Sequence, residues 1–186
     1  RMDVELVKRA QKGDERAFEA LVVAGHPESF RVAYGILRDS NLAEDAVQHA
    51  FLEIWRSLSR LSDQAQYEAW AARHLVEACR RTDAQPNEQA GATAVEPAGP
   101  VGADPFGTVI DRDQLSRGFR LLSFDDRAVL VLRYLSDMDA EAMAFALGLK
   151  GKAVEQRTEA ALASLEAALD DDGVPGSELA AQMESA

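Results

Sequence analysis

Apolar residues recur with a helical period along most of this chain, and the clearest case runs from residue 41 to residue 58. Intervals of three and four residues place such side chains on one stripe of an amphipathic helix, and that stripe packs against a core. Asn41 and Glu44 form the capping pattern expected at the start of this helix. The stripe consists of Ala43, Ala46, Val47, Ala50, Phe51, Ile54, Trp55 and Leu58.

The opposite face of this helix is polar, with one large apolar residue in its middle. It includes Asp45, Gln48, Leu52 and Arg56. Such a face is suited to binding a partner protein. A soluble helical protein can also carry it simply because it faces water, so the pattern alone leaves both interpretations open.

Helical spacing also predicts the other elements of the first part of the chain. Gly13 ends a short first helix, Asp14 caps the second, and a Gly-His-Pro turn around His26 separates the second from the third. A polar loop over residues 59–66 precedes the last helix of this part, which is predicted over residues 67–81. The predicted helices cover residues 3–12, 14–22, 28–37, 41–58 and 67–81.

The second part of the chain has a helical pattern as well. Ser123 and Asp139 are predicted N-caps, and Gly148 is predicted to turn the chain before the last helix. A short helix, a glycine turn and a longer helix form the helix-turn-helix pattern, which many helical hairpins share. Two glycines, Gly35 and Gly118, lie inside predicted helices, where glycine is unfavourable. The predicted helices cover residues 111–122, 124–135, 140–147 and 152–169.

No stretch of the chain alternates with a period of two, so the sequence predicts an all-α fold of two small helical domains. Residues 82–110 are rich in Pro, Gly and Ala and contain no basic residue, which is typical of a flexible linker. The acidic residues 170–186 are predicted to form a disordered tail. The predicted domains are therefore residues 1–81 and 111–169.

The net charge of −12 taken alone argues against nucleic-acid binding, but its distribution changes this conclusion. Residues 82–110 and 170–186 contain nine Asp and Glu and no Lys or Arg, so they supply −9 of the total. Each predicted domain is close to neutral. The acidity therefore excludes neither domain from binding DNA.

The remaining composition indicates a cytoplasmic protein without enzymatic chemistry. The single cysteine, Cys79, excludes an internal disulfide, and no apolar run is long enough to insert into a membrane. No metal-binding pair, phosphate-binding glycine loop or nucleophile with a neighbouring base can be identified. We therefore predict no catalytic residues, no metal and no cofactor.

Three segments resemble the extracytoplasmic-function (ECF) subfamily of bacterial RNA polymerase sigma factors. The run AEDAVQHAFLEIWR resembles their core-binding helix, and GDERAFEALV resembles the start of these proteins. The segment from LSFDDRAVLVLRYL to AVEQRTEAAL resembles their promoter −35-reading domain. The resemblance implies a sigma region 2-like domain over residues 1–81 and a sigma region 4-like helix-turn-helix domain over residues 111–169.

This resemblance implies a sigma factor that binds bacterial core RNA polymerase and promoter DNA, and an anti-sigma factor as a further partner. It assigns core polymerase binding to Asp45, Gln48, Leu52 and Arg56. It assigns binding of the −10 element to Arg60, Gln64, Gln66, Arg73, His74, Arg80 and Arg81. It assigns binding of the −35 element to Lys150, Lys152, Gln156 and Arg157.

The chain departs from the family pattern at several positions that would face DNA. Glu77 replaces an asparagine in the −10 helix, and Glu155 and Glu159 are acidic residues in the recognition helix. Thr158 places a hydroxyl where the family packs an apolar side chain, and Phe145 is an aromatic residue on a face that is usually charged. These departures favour an alternative function: a sigma-like regulatory protein with weakened DNA binding that binds polymerase or an anti-sigma factor.

Overall fold

The computed structural model describes residues 3–84, 112–136, 138–150 and 152–170. Within these ranges the protein is helical and contains no strand, which confirms the all-α prediction. Two single 3-10 turns, Leu58–Arg60 and Gln64–Gln66, connect the third helix to the fourth. The α-helices are α1 (Val4–Gln11), α2 (Glu15–Leu37), α3 (Ser40–Ser57), α4 (Tyr67–Asp83), α5 (Arg112–Leu121), α6 (Phe124–Leu135), α7 (Ala140–Leu147) and α8 (Ala153–Asp170).

Side-chain caps fix the starts of most helices. Asp14, Ser123 and Asp139 cap α2, α6 and α7, as predicted, by accepting a hydrogen bond from a free backbone N–H of the first turn. The predicted start of α3 was wrong. Asp39 rather than Asn41 caps this helix, because its carboxylate accepts from the backbone N–H groups of Asn41 and Leu42 at 2.9 and 3.0 Å.

The predicted turn around His26 is also wrong, because α2 continues through Pro27 as one helix. A proline inside a helix removes the backbone hydrogen bond to the carbonyl four residues earlier, here that of Val23. Val23 is 69% exposed, so water can solvate the free carbonyl. The apolar residues on both sides of Pro27 pack against α3 and α6, and this tertiary packing outweighs the local signal to break the helix.

A small core holds α1 against the first half of α2 and the end of α3. It consists of buried Val7, Ala10, Ala17, Leu21, Ile54, Leu58, Leu61 and Tyr67. Gln11 extends this contact to the loop after α3, since its side-chain amide donates to the carbonyls of Leu58 and Leu61 at 3.0 and 2.7 Å. The loop before α4 is therefore fixed by α1.

The helices α1 to α4 form the first segment of the structure, and α5 to α8 form the second. In the second segment, α6 lies at the centre, as its nearly continuous apolar pattern predicted. Residues 128–132 are all buried. Gly118 allows α5 to pack closely on α8, because a Cβ atom there would lie 3.0 Å from Leu165 Cδ1 and 3.1 Å from Leu169 Cδ2. The glycine that weakens α5 as an isolated helix is thus required by the packing of the segment.

The two segments pack against each other through α2 with α6 and through α4 with α7. One buried apolar cluster runs across both, from Val32 on α2 to Leu169 on α8. Gly35 lies where α2 approaches α6, and a Cβ atom there would lie 3.0 Å from both Cγ atoms of Val131. The second intrahelical glycine is therefore also explained by a close contact.

The predicted linker begins too early in the chain. Thr82 and Asp83 belong to α4, and the Asp83 carboxylate holds the end of this helix against Arg127 of α6. Asp170 likewise ends α8 rather than starting the tail. The predictions of a flexible linker and of a disordered tail otherwise concern residues 85–111 and 171–186, which lie outside the described residues. The division into two domains stays a prediction.

Candidate functional site

The four residues assigned to polymerase binding lie together on the outer face of α3. Asp45, Gln48, Leu52 and Arg56 are all exposed, and Leu52 presents 51% of its surface to solvent. Intrahelical contacts orient the polar members of this face. Arg56 Nη1 donates to Glu53 Oε1 at 3.0 Å, and the Gln48 amide lies 3.5 Å from Glu44 Oε1.

Beside this face, α2 and α3 enclose an open apolar groove of about 540 Å³. Phe51 and Trp55 line it, although their spacing assigned them to the core stripe; Trp55 is 38% exposed, and its ring centroid lies 4.7 Å from that of Phe18. The sequence did not reveal the groove because it depends on which residues of α2 lie opposite α3. The lining residues are Glu15, Phe18, Val22, His26, Val47, Gln48, Phe51, Leu52 and Trp55.

The residues assigned to the −10 element do not form one open surface. Arg60, Gln66 and Arg81 are exposed, on the loop before α4 and on α4 itself. Gln64 is partly buried, and its amide donates to Gln11 Oε1 at 2.8 Å. Gln64 therefore helps to fix the loop in place.

Two further arginines of this set contact the second segment. Arg73 Nη1 lies 3.4 Å from the carbonyl oxygen of Phe145, and its guanidinium carbon lies 5.4 Å from the centre of the Phe145 ring. Arg80 Nη2 lies 2.8 Å from Asp125 Oδ1, and its guanidinium group lies over the Phe124 ring. These two cations are held by α6 and α7, which the sequence could not show.

His74 is enclosed between α3 and α4. Its Nε2 lies 3.4 Å from Ser57 Oγ, and the ring meets Trp70 edge-on with centroids 4.4 Å apart. Loss of solvation lowers the pKa of His74 below its ordinary value of 6.5, and the charges of Arg73 and Arg81 lower it further. The nearby carboxylates of Glu53 and Glu77 raise the pKa but do not reverse the shift.

This shift predicts an acid-sensitive contact between α3 and α4. Because the pKa of His74 is lower in the folded protein than in the unfolded chain, protonation favours the unfolded state, and stability is lost as the pH falls below about 6.5. His74→Gln is expected to reduce this loss, measured by urea denaturation at neutral and mildly acidic pH. His49→Gln, at an exposed position of α3, is the matched control. Equal acid sensitivity of wild type and His74→Gln would contradict the assignment.

The helix-turn-helix prediction agrees with the geometry of α7 and α8. Gly148 ends α7 in the left-handed conformation, with a φ of 68°, and its N–H bonds back to the last turn. Lys150, Lys152 and Gln156 are exposed around the start of α8, as are Glu155 and Glu159. This surface therefore mixes the predicted DNA-binding groups with two carboxylates.

Arg157 differs from the other residues assigned to the −35 element. Its Nε lies 3.0 Å from Asp126 Oδ1, and its Nη2 lies 3.6 Å from Asp125 Oδ2. The side chain thus connects α8 to the first turn of α6. Thr158 beside it is buried, and its hydroxyl donates to the Val154 carbonyl at 2.8 Å, so this polar group causes no loss of hydrogen bonding in the core.

Comparison with known proteins adds three findings. Residues 21–82 match the model of the family "Sigma-70 region 2". The ECF RNA polymerase sigma factor SigK of Mycobacterium bovis and of Mycobacterium tuberculosis is 26% identical over 172 residues, which cover 89% of this chain and 92% of SigK. A solved structure, of CnrH in complex with the cytosolic domain of CnrY, superposes with a TM-score of 0.68 at 25% identity and covers 92% of this chain and 99% of that chain.

The chain is thus similar to an ECF sigma factor over most of its length, and residues 21–82 match sigma-70 region 2. The region 2 match covers most of α2, all of α3 and most of α4, which carry most of the groove and the assigned polymerase face. A further relative, the RNA polymerase sigma-H factor of Pseudomonas aeruginosa, is 31% identical over 87 residues. That likeness covers 42% of this chain and 45% of the length of the Pseudomonas protein.

Within the described ranges, none of the helices is long and apolar enough to span a membrane. No group of three or more His, Cys, Asp or Glu side chains within the described ranges is arranged to hold a metal ion.

Proposed function

We propose that this protein directs promoter-specific transcription initiation by binding core RNA polymerase and recognising the −10 and −35 elements. The observation that carries this proposal is the likeness to SigK along 89% of the chain, which includes both the region 2 match and the helix-turn-helix segment. Its role is to bring the polymerase active site to a chosen promoter.

Polymerase binding is assigned to the outer face of α3. Leu52 is a large apolar side chain that is half exposed and borders an apolar groove, surrounded by polar Asp45, Gln48 and Arg56. An apolar centre with a polar rim is the usual composition of a protein–protein interface. Docking would bury Leu52 and exclude water from the groove.

Recognition of the −10 element is assigned to α4 and the loop before it. Arg60, Gln66 and Arg81 are exposed and can contact phosphates or an unstacked base of the melted strand. Arg73 and Arg80 can join them only after leaving their contacts in the second segment. Gln64 and His74 position the surface, since each is partly buried and contacts a neighbouring side chain.

Recognition of the −35 element is assigned to the start of α8. Lys150 and Lys152 lie where phosphates approach the N-terminus of a recognition helix, and Gln156 is exposed for contact with a base edge in the major groove. Arg157 acts mainly as a positioning residue, because Asp126 holds its guanidinium group against α6.

Charge reversal of the two exposed carboxylates on α8 provides a test of this assignment. Both Glu155 and Glu159 repel phosphates, so Glu155→Lys with Glu159→Lys is expected to tighten binding to duplex DNA and to increase the slope of log affinity against log salt by about one to two units. Fluorescence anisotropy across a salt series measures both. The same change at Glu5 and Glu19, exposed on α1 and α2, is the control. An unchanged slope would mean that this face of α8 does not meet DNA.

A second candidate function is a sigma-like regulator that binds polymerase or an anti-sigma factor but initiates little transcription. The exposed carboxylates of Glu77, Glu155 and Glu159 favour it, because each lies on a surface assigned to DNA. A pull-down of core polymerase combined with promoter binding separates the two functions. Polymerase binding without promoter binding would support the regulator.

A further inference from the structure

The contacts between the two segments use cations that the proposed function assigns to DNA. The apolar part of this contact is tight, since Gly35 lets α2 approach α6 until a Cβ atom would lie 3.0 Å from Val131 and 3.2 Å from Leu135 Cδ1. Arg31 supports it by donating to the Leu135 carbonyl oxygen at 2.8 Å. The contact is therefore built from specific features of this sequence.

Around this apolar contact, α4 is connected to α6 by two ion pairs that run in opposite directions. Arg80 of α4 pairs with Asp125 of α6 at 2.8 Å, and Arg127 of α6 pairs with Asp83 of α4 at 2.6 Å. Each helix contributes one acid and one base, so a shift of one helix along the other separates both pairs. The two pairs thus fix a single register of α4 on α6.

The Phe145 ring adds a contact nearer the middle of α4, at Arg73. It is 40% exposed and lies against the Arg73 guanidinium group. The sequence marked this aromatic residue as unusual for its position. Its contact with Arg73 gives it a role within the protein.

Asp125 connects both surfaces assigned to DNA. Its two carboxylate oxygens contact Arg80 of the −10 helix at 2.8 Å and Arg157 of the −35 recognition helix at 3.6 Å. A phosphate approaching Arg80 therefore competes with this carboxylate.

We propose that Asp125, Phe145, Asp83 and Arg127 form a latch that keeps the free protein closed and limits its access to single-stranded DNA until the segments separate. This inference rests on the proposed role of α4 in binding the −10 element. The affinity observed for DNA is the intrinsic affinity reduced by the fraction of molecules that is open, so weakening the latch tightens binding.

The test uses a double variant, in which Asp125→Asn and Phe145→Ala are combined. This latch variant is compared with a matched control. Glu5→Gln with Val4→Ala is that control: Glu5 is an exposed first-turn carboxylate paired with Lys8, and Val4 is 40% exposed, like Phe145. Single-molecule energy transfer between dyes at Ser59→Cys and Ser164→Cys, exposed positions in the two segments, measures opening in the full chain. Fluorescence anisotropy with a random-sequence single-stranded DNA probe of about 20 nucleotides measures how accessible the DNA-binding surface is.

We expect one short-distance population in wild type and in the control, and a second, longer-distance population in the latch variant. The latch variant should bind the single-stranded probe about three to ten times more tightly, as expected when one ion pair and one cation–aromatic contact between the segments are lost. If the latch variant does not fold by circular dichroism, Asp83→Asn replaces it, with the same expectation.

The two measurements test different parts of the proposal. The distances test whether the latch keeps the protein closed, and the binding tests whether closure limits access to DNA. A long-distance population already dominant in wild type would overturn the latch, as would a latch variant whose distances match those of the control. If the latch variant opens and binds the probe no more tightly, closure stands but does not limit access. If it opens and neither protein binds the probe, the proposed −10 role is overturned while the latch is supported.

Discussion

Replacing Gly35 by leucine lowers the free energy of unfolding by about 1–3 kcal/mol and weakens the contact between the two segments. The cause is the lack of space between α2 and α6, where even a Cβ atom would lie 3.0 Å from both Cγ atoms of Val131. The sign of this effect is diagnostic. In an isolated helix, leucine is more favourable than glycine by roughly 0.8 kcal/mol, so helix propensity alone predicts the opposite change.

Urea denaturation followed by far-UV circular dichroism measures this effect. Ala20→Leu is the matched control, because it adds a larger side chain to α2 at an exposed position and should change stability by less than about 0.5 kcal/mol. Unchanged or increased stability of Gly35→Leu would show that α2 and α6 do not make this contact in solution.

Replacing Leu52 by glutamate reduces the affinity for core RNA polymerase by about thirtyfold or more, which corresponds to the roughly 2 kcal/mol lost at an interface hot spot. The reason is that Leu52 is the apolar centre of the assigned polymerase face, and a carboxylate there must be desolvated on docking. The fold should be unaffected, since Leu52 is already 51% exposed.

Val23→Glu provides the control for this experiment. Val23 is 69% exposed on α2 and does not line the groove, so the variant introduces the same charge outside the assigned face. A titration of labelled core polymerase with both variants gives the two affinities. Equal losses would mean that general charge and not the α3 face determines binding, and no loss for Leu52→Glu would overturn the assignment.

The sequence predicted the helices best where local signals and tertiary packing agree. Ser123 and Asp139 cap their helices as expected, because an N-cap interaction involves only the neighbouring three or four residues. Pro27 shows the opposite case. Local rules place a helix end there, but packing on both sides of it keeps α2 continuous.

Gly35 and Gly118 illustrate a second limit. Each is a weak helix former, and the sequence offers no local reason for it. The reason is a neighbouring helix that is far away in the chain, Val131 of α6 in one case and Leu165 of α8 in the other. Such contacts depend on the packing of complete helices, which a single sequence does not specify.

In the candidate site, too, helix periodicity predicts some features, whereas others depend on packing between helices. The periodicity of α3 placed Leu52 and its polar neighbours correctly on one exposed face, because a helix surface follows directly from spacing. The groove beside them and the ion pairs of Arg80 and Arg157 depend on other helices. The resemblance to the family assigned Arg80 and Arg157 to DNA, but it does not show that carboxylates of α6 compete for both side chains.

The most direct test of the proposed function is run-off transcription from a pool of genomic promoters by core RNA polymerase, with and without this protein. We expect new, specific transcripts that depend on the protein, and we expect Leu52→Glu to abolish them while Val23→Glu does not. Core polymerase that binds the protein but produces no new transcript would contradict the account and would favour the sigma-like regulator.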